Sequence, residues 1–326
     1  MIRFHIIDYF RWLYTKFTRS LKSGVLYLFY SIYLQIYFAI THKNQFGHNI
    51  FEEEWNLAII LDACRVDSLR KISNEFEFLG EIQTIWSVGS SSGEWIANTF
   101  IQKYLKEINN TIYISANGHS KLILEDSVRP PVNNEIPLKF LNWSTVDQSE
   151  LESHEQLFKS YHNSKYETVL PYSVSNILLE TVRDGQSRRI VAHYIQPHLP
   201  YVANAVEEGR EIDNLEKGGY RLLKSEQVKK SEVVSKYEDN LRFVLADIQT
   251  MLQAIEVDNV ILTADHGESF GEGHLYGHPE GNLHPVIRKV PWVELDTKNL
   301  KSGEYREQSD REGADISEHL QDLGYL

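Results

Sequence analysis

The segment 260–295 constrains the fold of this chain most, because a strand-like run there ends in a cluster of ionisable side chains. The apolar run at 260–262 has the length and composition of a buried strand. It is followed by Asp265-His266-Gly267-Glu268. Beyond these, glycine-containing turns at 271–273 and 277–279 accompany the histidines His274, His278 and His284. Carboxylates and imidazoles together bind divalent cations such as Zn, Mn or Fe. The segment therefore predicts a metal site, with a solvated histidine-rich loop as the alternative.

Strand-like and helix-like segments alternate along most of the 326 residues, which is typical of an α/β fold. Apolar runs of strand length lie at 56–61, 81–88, 111–115, 189–194, 260–262 and 290–295. Helical periodicity is found at 94–105, 173–183 and 231–255, whereas the polar segment 203–227 is interpreted as an insertion. Such alternation implies parallel pairing, with helices on both faces of the sheet. We predict an α/β three-layer sandwich around a mostly parallel central sheet.

Polar side chains follow several of these predicted strands. They are Asp62, the serines at 90–92, the segment 193–198, and Asp265 with His266. In a parallel sheet, ligands bind outside the carboxyl ends of the strands. These stretches are therefore expected to meet in one crevice, although each has a simpler reading alone, such as Asp62 as a helix cap.

A metal and a nucleophile would account for this crevice. Asp62, Asp265 and His266 are expected to bind one divalent cation and to leave a position open for a nucleophile or a substrate oxygen. The serines at 90–92 lie at a strand-to-helix turn, where the helix dipole favours an anion such as phosphate or sulfate. Metal coordination would lower the pKa of such a hydroxyl and activate it. A serine-rich helix cap without a catalytic role is the alternative.

The same serines fit a second chemistry. Residues 89–93 match the G-x-S-x-G nucleophile elbow of α/β-hydrolases, with Ser91 at its centre. Asp265 and His266 are adjacent and cannot serve as acid and base of one triad, so another acid with His278 or His284 would be required. A metal-free serine esterase therefore stays open, as does a binding protein with a degenerate site.

Two histidines, His193 and His198, lie close to Pro197 and Pro200, which make the turn rigid. Their imidazoles are candidates for binding a metal, for holding a substrate oxyanion or for protonating a leaving group. Imidazoles bonded to the loop backbone are the alternative.

Residues 1–48 differ from residues 49–326, which we interpret as the catalytic domain. An uncharged, aromatic-rich run at 23–41 follows five basic residues, namely Arg3, Arg11, Lys16, Arg19 and Lys22. Such a segment suits a helix packed on the domain, a helix on an acidic membrane surface, or a membrane span near the lower length limit. We predict a cytoplasmic location, with membrane-surface contact through residues 1–42.

Charge and cysteine content exclude some classes. The net charge of −13 argues against nucleic acid as a partner, because such binding depends on Lys and Arg neutralising phosphates. The single cysteine, Cys64, excludes an internal disulfide framework and a cysteine-rich zinc module.

Three segments together resemble the alkaline-phosphatase-like superfamily, in particular its sulfatase-like hydrolases and phospho-group transferases. They are 59–67 (IILDACRVD), 193–201 (HYIQPHLPY) and 262–272 (LTADHGESFGE), with Tyr276-Gly277-His278 beyond. The match spans 56–295 and is weak in the middle. The resemblance implies a metal-dependent hydrolase or transferase of phosphate or sulfate esters. The expected substrate is a small-molecule, glycan or lipid-linked ester, with the N-terminal helix favouring the lipid-linked or glycan class.

The resemblance also implies roles for individual residues. Asp62, Asp265 and His266 would be ligands of one divalent ion, such as Zn, Mn, Mg or Ca. Ser92 would be a further ligand and the nucleophile, with Ser91 as the second choice. The other implied candidates are Arg65 for catalysis, His198 and His278 for catalysis and substrate binding, and His193 for substrate binding.

Two departures from the family pattern matter for the chemistry. Cys64 is followed by Arg-Val-Asp and not by the C/S-x-P-S-R continuation of arylsulfatases, so conversion to formylglycine is not expected. The second-metal motif of the family has an aspartate four residues before a histidine, whereas His193 precedes His198 by five and supplies no carboxylate. We therefore predict one ion, with a second ion bound more weakly by His198 and His278 as the alternative.

Overall fold

The computed structural model describes residues 21–42, 46–132, 141–184, 189–297, 300, 303 and 305. The basic residues at positions 3–19 therefore lie outside the described part. Among the described residues, the helices are α1 (Leu21–Thr41), α2 (Val66–Ile72), α3 (Ser92–Thr99), α4 (Leu105–Ile108), α5 (Pro171–Arg183), α6 (Ala203–Glu208), α7 (Asn214–Lys224), α8 (Lys230–Leu252) and α9 (Pro285–Arg288). The strands are β1 (Leu57–Leu61), β2 (Gln83–Trp86), β3 (Thr111–Ser115), β4 (Ser153–Gln156), β5 (His162–Asn163), β6 (Thr168–Val169), β7 (Arg189–Tyr194), β8 (Val260–Thr263), β9 (Ser269–Phe270), β10 (Tyr276–Gly277) and β11 (Lys289–Glu294).

A seven-stranded sheet in the order β2-β11-β8-β1-β7-β3-β4 forms the centre of the domain. Strands β8, β1, β7, β3 and β4 pair in parallel, whereas β11 is antiparallel to both β8 and β2 at one edge. The prediction of a mostly parallel central sheet is confirmed. Every residue of β1 is buried, which explains its continuous apolar sequence LAIIL.

Helices cover both faces of the sheet, because successive residues of a strand point to opposite sides. Leu57 and Ile59 of β1 belong to the core that contains Leu241 of α8. Ala58 and Ile60 face the other way, into the core that contains Trp95 of α3. The predicted three-layer α/β sandwich is thereby confirmed.

Some predicted elements change length or type. The strand predicted at 81–88 is shorter, and the helix predicted at 94–105 begins at Ser92 and ends at Thr99. The segment 203–227, which we interpreted as an insertion, contains helices α6 and α7. Helix α7 begins at a capping box, in which Asp213 accepts a hydrogen bond from the Glu216 amide and Glu216 accepts one from the Asp213 amide.

Helix α1 lies with one face on the domain. Leu34 and Phe38 are fully buried, and Tyr37 is nearly so. Among the described residues, no helix combines the length and the apolar character needed to cross a bilayer. Of the three interpretations of this segment, packing on the domain is therefore the one that the contacts support directly.

Candidate metal centre and nucleophile

Two neighbouring parallel strands bring Asp62, Asp265 and His266 together. Asp62 directly follows β1, and Asp265 and His266 follow β8, which pairs with β1 in parallel register. The His266 Nε2 atom lies 3.5 Å from Asp62 Oδ1 and 3.4 Å from Asp265 Oδ2. All three side chains are buried, and one ligand atom of each lies within 4.8 Å of the others.

Ser92 completes this group from a third element. It is the first residue of α3, and its Oγ atom lies 3.4 Å from Asp62 Oδ2 and 3.3 Å from His266 Nε2. Ser91 has a different role, because its hydroxyl accepts a hydrogen bond from the Glu94 amide and caps the helix. Ser90 donates its hydroxyl to Glu94 Oε2 at 2.7 Å. Of the three serines, Ser92 is thus the one whose hydroxyl contacts the Asp62–Asp265–His266 group.

The donor set fits a divalent cation. Asp62 Oδ1 and Asp265 Oδ2 are buried and have no hydrogen-bond partner among the described residues. A buried carboxylate oxygen without a donor is costly, whereas a bound cation would satisfy it. Asp62 Oδ1, Asp265 Oδ2 and Ser92 Oγ all lie 3.3–3.5 Å from His266 Nε2, close enough for one ion to contact these atoms.

The electrostatics at this centre favour an ionised Asp265 and a neutral His266, whereas they disfavour a second negative charge on Asp62. Burial acts to raise the pKa of Asp265, but the His266 and His193 imidazoles and the Ser92 hydroxyl lower it below its ordinary value. Burial lowers the pKa of His266 to about 4, against the opposing charge of Asp265. The pKa of Asp62 is raised by burial, and further by the negative charges of Asp265 and Glu268.

Neighbouring groups orient the ligands. Asn117 donates its side-chain amide to Asp62 Oδ2 at 2.8 Å, and Asp265 Oδ1 accepts from the Ala63 and His266 amides at 3.1 and 2.8 Å. The sequence interpretation missed Asn117. It follows the end of β3 by two residues, so the strand-end rule that pointed to Asp62 and Asp265 would also have found it.

Gly267 lets the chain turn directly after the ligands. Its amide donates to the Ile287 carbonyl at 2.7 Å, and a Cβ atom at this position would collide with the Val286 carbonyl oxygen. The close approach of two backbones explains why glycine stands there.

A second group of ligand-type side chains adjoins the first. One ligand atom each of His198, Glu268 and His278 lies within 4.8 Å of the others, and His278 Nδ1 is 3.3 Å from both carboxylate oxygens of Glu268. The rings of His266 and His278 are 4.3 Å apart. The fold thus brings the candidates His198 and His278 together. The sequence interpretation missed Glu268 as a ligand-type residue, although Glu268 belongs to the segment Asp265-His266-Gly267-Glu268.

The pKa values of the two histidines in this second group are shifted in opposite directions. Burial lowers the pKa of His198 to about 3, and its Nδ1 is bonded to the Leu199 carbonyl at 2.7 Å. Burial also acts to lower the pKa of His278, but the Glu268 carboxylate raises it above the ordinary value.

Two other candidates lie outside the centre of the crevice. His193 is fully buried in β7. Its Nδ1 lies 2.8 Å from the Tyr113 hydroxyl and its Nε2 lies 3.6 Å from Asp265 Oδ2, so His193 contacts the ligand Asp265 from within the sheet. Arg65 lies beneath the loop that follows β8. Its guanidinium donates to the Glu268 carbonyl at 2.8 Å and pairs with Asp67 and Glu272.

No protein-family model matches the sequence, and no curated protein matches it significantly. Solved structures do match. The soluble domain of lipooligosaccharide phosphoethanolamine transferase A from Neisseria meningitidis is 14% identical with a TM-score of 0.45, over 76% of this chain and 82% of that one. A protein in the alkaline phosphatase superfamily from Vibrio parahaemolyticus is 14% identical with a TM-score of 0.39, over 83% of this chain and 69% of that one. The superfamily resemblance predicted from the three motif segments is the one to which this second structure is assigned.

A third neighbour bears on metal and location. The C-terminal periplasmic domain of EcEptC from Escherichia coli, a complex with Zn, is 11% identical with a TM-score of 0.43, over 76% of this chain and 75% of that one. The prediction of a cytoplasmic location is wrong on this comparison, because the similar domain is named as periplasmic.

Proposed function

We propose that the chain is a metal-dependent hydrolase or transferase of phosphate or sulfate esters, with Ser92 as the nucleophile. The observation that carries the proposal is the meeting of the Ser92 hydroxyl with Asp62 and His266 at 3.3–3.4 Å, although the three residues are far apart in sequence. Orphaned oxygens of Asp62 and Asp265 in the same group support a bound cation.

The chain's own residues set up the nucleophile. Ser92 occupies the first turn of α3, where free backbone N–H groups and the helix dipole favour an anionic phosphate or sulfate. Ser92 Oγ would form a bond to phosphorus or sulfur while the ester alcohol departs, which leaves a covalent phospho- or sulfo-serine. Water or an acceptor alcohol would then release the group from Ser92, giving hydrolysis or transfer respectively.

Asp62, Asp265, His266 and the Ser92 hydroxyl would hold the cation. When bound, a divalent cation lowers the pKa of a coordinated hydroxyl and neutralises charge on the ester oxygens. We infer one ion in this group. Asn117 keeps Asp62 Oδ2 oriented, and the Ala63 and His266 amides keep Asp265 Oδ1 oriented, so that the remaining oxygens face the centre.

The second group would bind the ester or assist the leaving alcohol. His278 carries a raised pKa beside Glu268, so it is suited to donate a proton or to bind an anionic oxygen. His198, whose Nδ1 is bonded to the backbone, would present its other ring nitrogen. The alternative role of His198, Glu268 and His278 is to bind a second cation more weakly than the first group does.

The substrate class that we propose is a lipid-linked or glycan ester. The support is the aromatic-rich helix α1, which packs directly beside the serine turn, since Tyr37 OH lies 2.5 Å from Glu94 Oε1 in the first turn of α3. Soluble nitrophenyl esters are expected to react slowly for this reason, yet they report the chemistry.

Metal content and turnover test the proposal together. We expect elemental analysis of the purified chain to find about one divalent ion per chain, lost in an Asp265→Asn/His266→Ala variant. We expect Ser92→Ala to lower turnover of p-nitrophenyl phosphate monoester, diester or sulfate by at least about a thousandfold with the metal retained.

Ser91→Ala serves as the matched control, because it removes only a helix cap and should cost about 1 kcal/mol of stability while turnover persists. Turnover that survives a chelator and depends on Ser91 would establish the metal-free esterase instead. A chain without metal and without turnover of all three esters would point to a binding protein.

A further inference from the structure

We propose that the outer face of α1 is a docking surface for an anionic lipid membrane. The apolar side chains of this face are 40–66% exposed; they are Val25, Phe29, Ile32, Ile36 and Ile40. At about 100° per residue these positions lie within one side of the helix, opposite the buried Leu34 and Phe38. Single exposed apolar residues are ordinary, but a continuous stripe of this length marks an interaction surface.

The inner face of α1 is fixed to the domain, so the stripe has a defined orientation. Tyr37 OH lies 2.5 Å from Glu94 Oε1, and Arg288 Nη1 lies 3.0 Å from Tyr37 OH. Tyr33, which is 41% exposed and lies at the border between the two faces, donates its hydroxyl to the Gly281 carbonyl at 2.6 Å. Two polar anchors and an apolar core therefore hold one face while the other faces away from the domain.

A lipid surface explains the charge pattern better than a protein partner does. The segment 23–41 carries no charge, and residues 1–22 carry five lysines and arginines against one aspartate, in a chain with a net charge of −13. An apolar stripe next to a basic segment is the pattern of helices that lie in the interface of an acidic bilayer. A second copy of this chain would offer the same uncharged stripe and the same basic segment, which provides no charge complementarity.

Docking through α1 would place the crevice beside the lipid headgroups. Glu94, which Tyr37 contacts, is two residues from Ser92, and Gly281, which Tyr33 contacts, is three residues from His278. Leu283, two residues further on, is itself 45% exposed. The docking does not depend on the proposed catalytic function, whereas its use for lipid-linked substrates does.

Co-sedimentation of the full 326-residue chain with lipid vesicles tests the docking without any turnover. We expect binding to vesicles of phosphatidylcholine mixed with phosphatidylglycerol, and binding at least about tenfold weaker to phosphatidylcholine alone. Phe29→Ser/Ile36→Ser should weaken binding to the mixed vesicles at least about tenfold, because two large apolar side chains are lost from the stripe. Lys16→Gln/Arg19→Gln should weaken binding to the mixed vesicles and leave the weak binding to phosphatidylcholine unchanged.

Val128→Ser is the matched control, since Val128 is an exposed apolar side chain outside α1 and its loss should leave vesicle binding unchanged. An unchanged unfolding temperature of Phe29→Ser/Ile36→Ser would show that this variant is folded. Absence of vesicle binding, or equal binding of wild type and this variant, would overturn the proposal. Self-association in solution that this variant abolishes would also overturn it, because a second copy would then cover the stripe.

Discussion

At the residue scale, Gly267 shows how one position without a side chain sets the geometry of a ligand pair. Asp265 and His266 are consecutive, so both can face one centre only if the backbone turns sharply after them. The turn brings Gly267 against the Val286 carbonyl and the Ile287 carbonyl of the α9 segment. The requirement is steric, and no other residue type meets it without moving one of the two backbones.

We expect Gly267→Ala to lower the free energy of unfolding by about 2–4 kcal/mol, because its Cβ would overlap a backbone oxygen. Metal content should fall with it. Gly209→Ala is the control: Gly209 has φ of 63° but no atom within 4 Å of its added Cβ, so only about 1 kcal/mol of backbone strain is expected. Urea unfolding of both variants measures the difference. Equal losses would mean that the contact with Val286 does not constrain the loop.

Glu94 is a buried carboxylate that joins three parts of the structure. It is fully buried and paired with Arg288 at 3.1 Å, and its Oε2 accepts from the Ser90 amide at 3.0 Å and the Gly281 amide at 3.2 Å. The carboxylate thus ties the serine turn to the loop that follows His278. No sequence pattern indicates this role of Glu94, because Arg288 is distant in the chain.

We expect Glu94→Ala to destabilise the protein by about 3–5 kcal/mol, because it leaves the Arg288 guanidinium buried without its partner. Glu75→Ala removes the carboxylate of an exposed pair with Arg242 and should cost less than about 1 kcal/mol. Thermal and urea unfolding compare the two. A small effect of Glu94→Ala would show that water can reach Arg288 once the carboxylate is gone.

At the element scale, the strands that carry the site could be predicted and the connections between them could not. The runs 56–61, 111–115 and 189–194 are apolar over lengths that suit buried strands, and the structure has strands there within one residue. The antiparallel pairing of β11 with β8 and β2 could not be predicted from the residues of β11. The direction of strand pairing depends on partners that are distant in the sequence. The sequence interpretation missed helices α6 and α7 because the segment 203–227 is polar and contains Gly218-Gly219, although α7 is amphipathic.

Three of the candidate site residues could be grouped from the positions of strand ends alone. Asp62, Asp265 and His266 were placed at one crevice by a general property of parallel sheets, and the fold brings them together. The different positions of Ser91 and Ser92 depend on the exact residue at which α3 begins. Ser91 is the N-cap, and Ser92 is the first residue of the helix.

Helix α8 fixes the loop that carries His198 through one side chain. Asn240 donates its amide toward the Pro197, His198 and Pro200 carbonyls at 3.2–3.3 Å, and its Oδ1 accepts from the Val202 and Ala203 amides at 2.9 and 3.3 Å. The amide therefore satisfies backbone groups along the whole turn. A loop without secondary structure of its own is held in shape by a neighbouring helix.

We expect Asn240→Leu to lower the free energy of unfolding by about 2–4 kcal/mol, because buried backbone donors and acceptors lose their partners while side-chain volume is kept. Thr250→Ala, at an exposed position of the same helix, should change it by less than about 1 kcal/mol. Hydrogen exchange should show faster exchange of the Val202 amide in Asn240→Leu only. Unchanged protection of that amide would mean that the loop keeps its shape without α8.

At the scale of the whole molecule, one carboxylate that couples stability to pH, Asp247, lies away from the site. Asp247 on α8 packs against α5 and Tyr305. Its Oδ2 accepts from the Ser175 hydroxyl at 2.5 Å and its Oδ1 from the Tyr305 hydroxyl at 2.8 Å. Burial raises its pKa to about 6 despite these two donors.

The raised pKa makes Asp247 favour the folded state in acid. Between its ordinary value of 3.8 and about 6, the folded protein holds a proton that the unfolded chain has released. The stabilisation is therefore complete below about pH 4 and is lost as the pH rises through about 6. We expect Asp247→Asn, which keeps a neutral side chain at every pH, to gain about 1–3 kcal/mol relative to wild type between pH 4 and pH 7. Urea unfolding of both proteins at several pH values measures this difference, and a constant difference across that range would show that Asp247 is ionised in the folded state throughout.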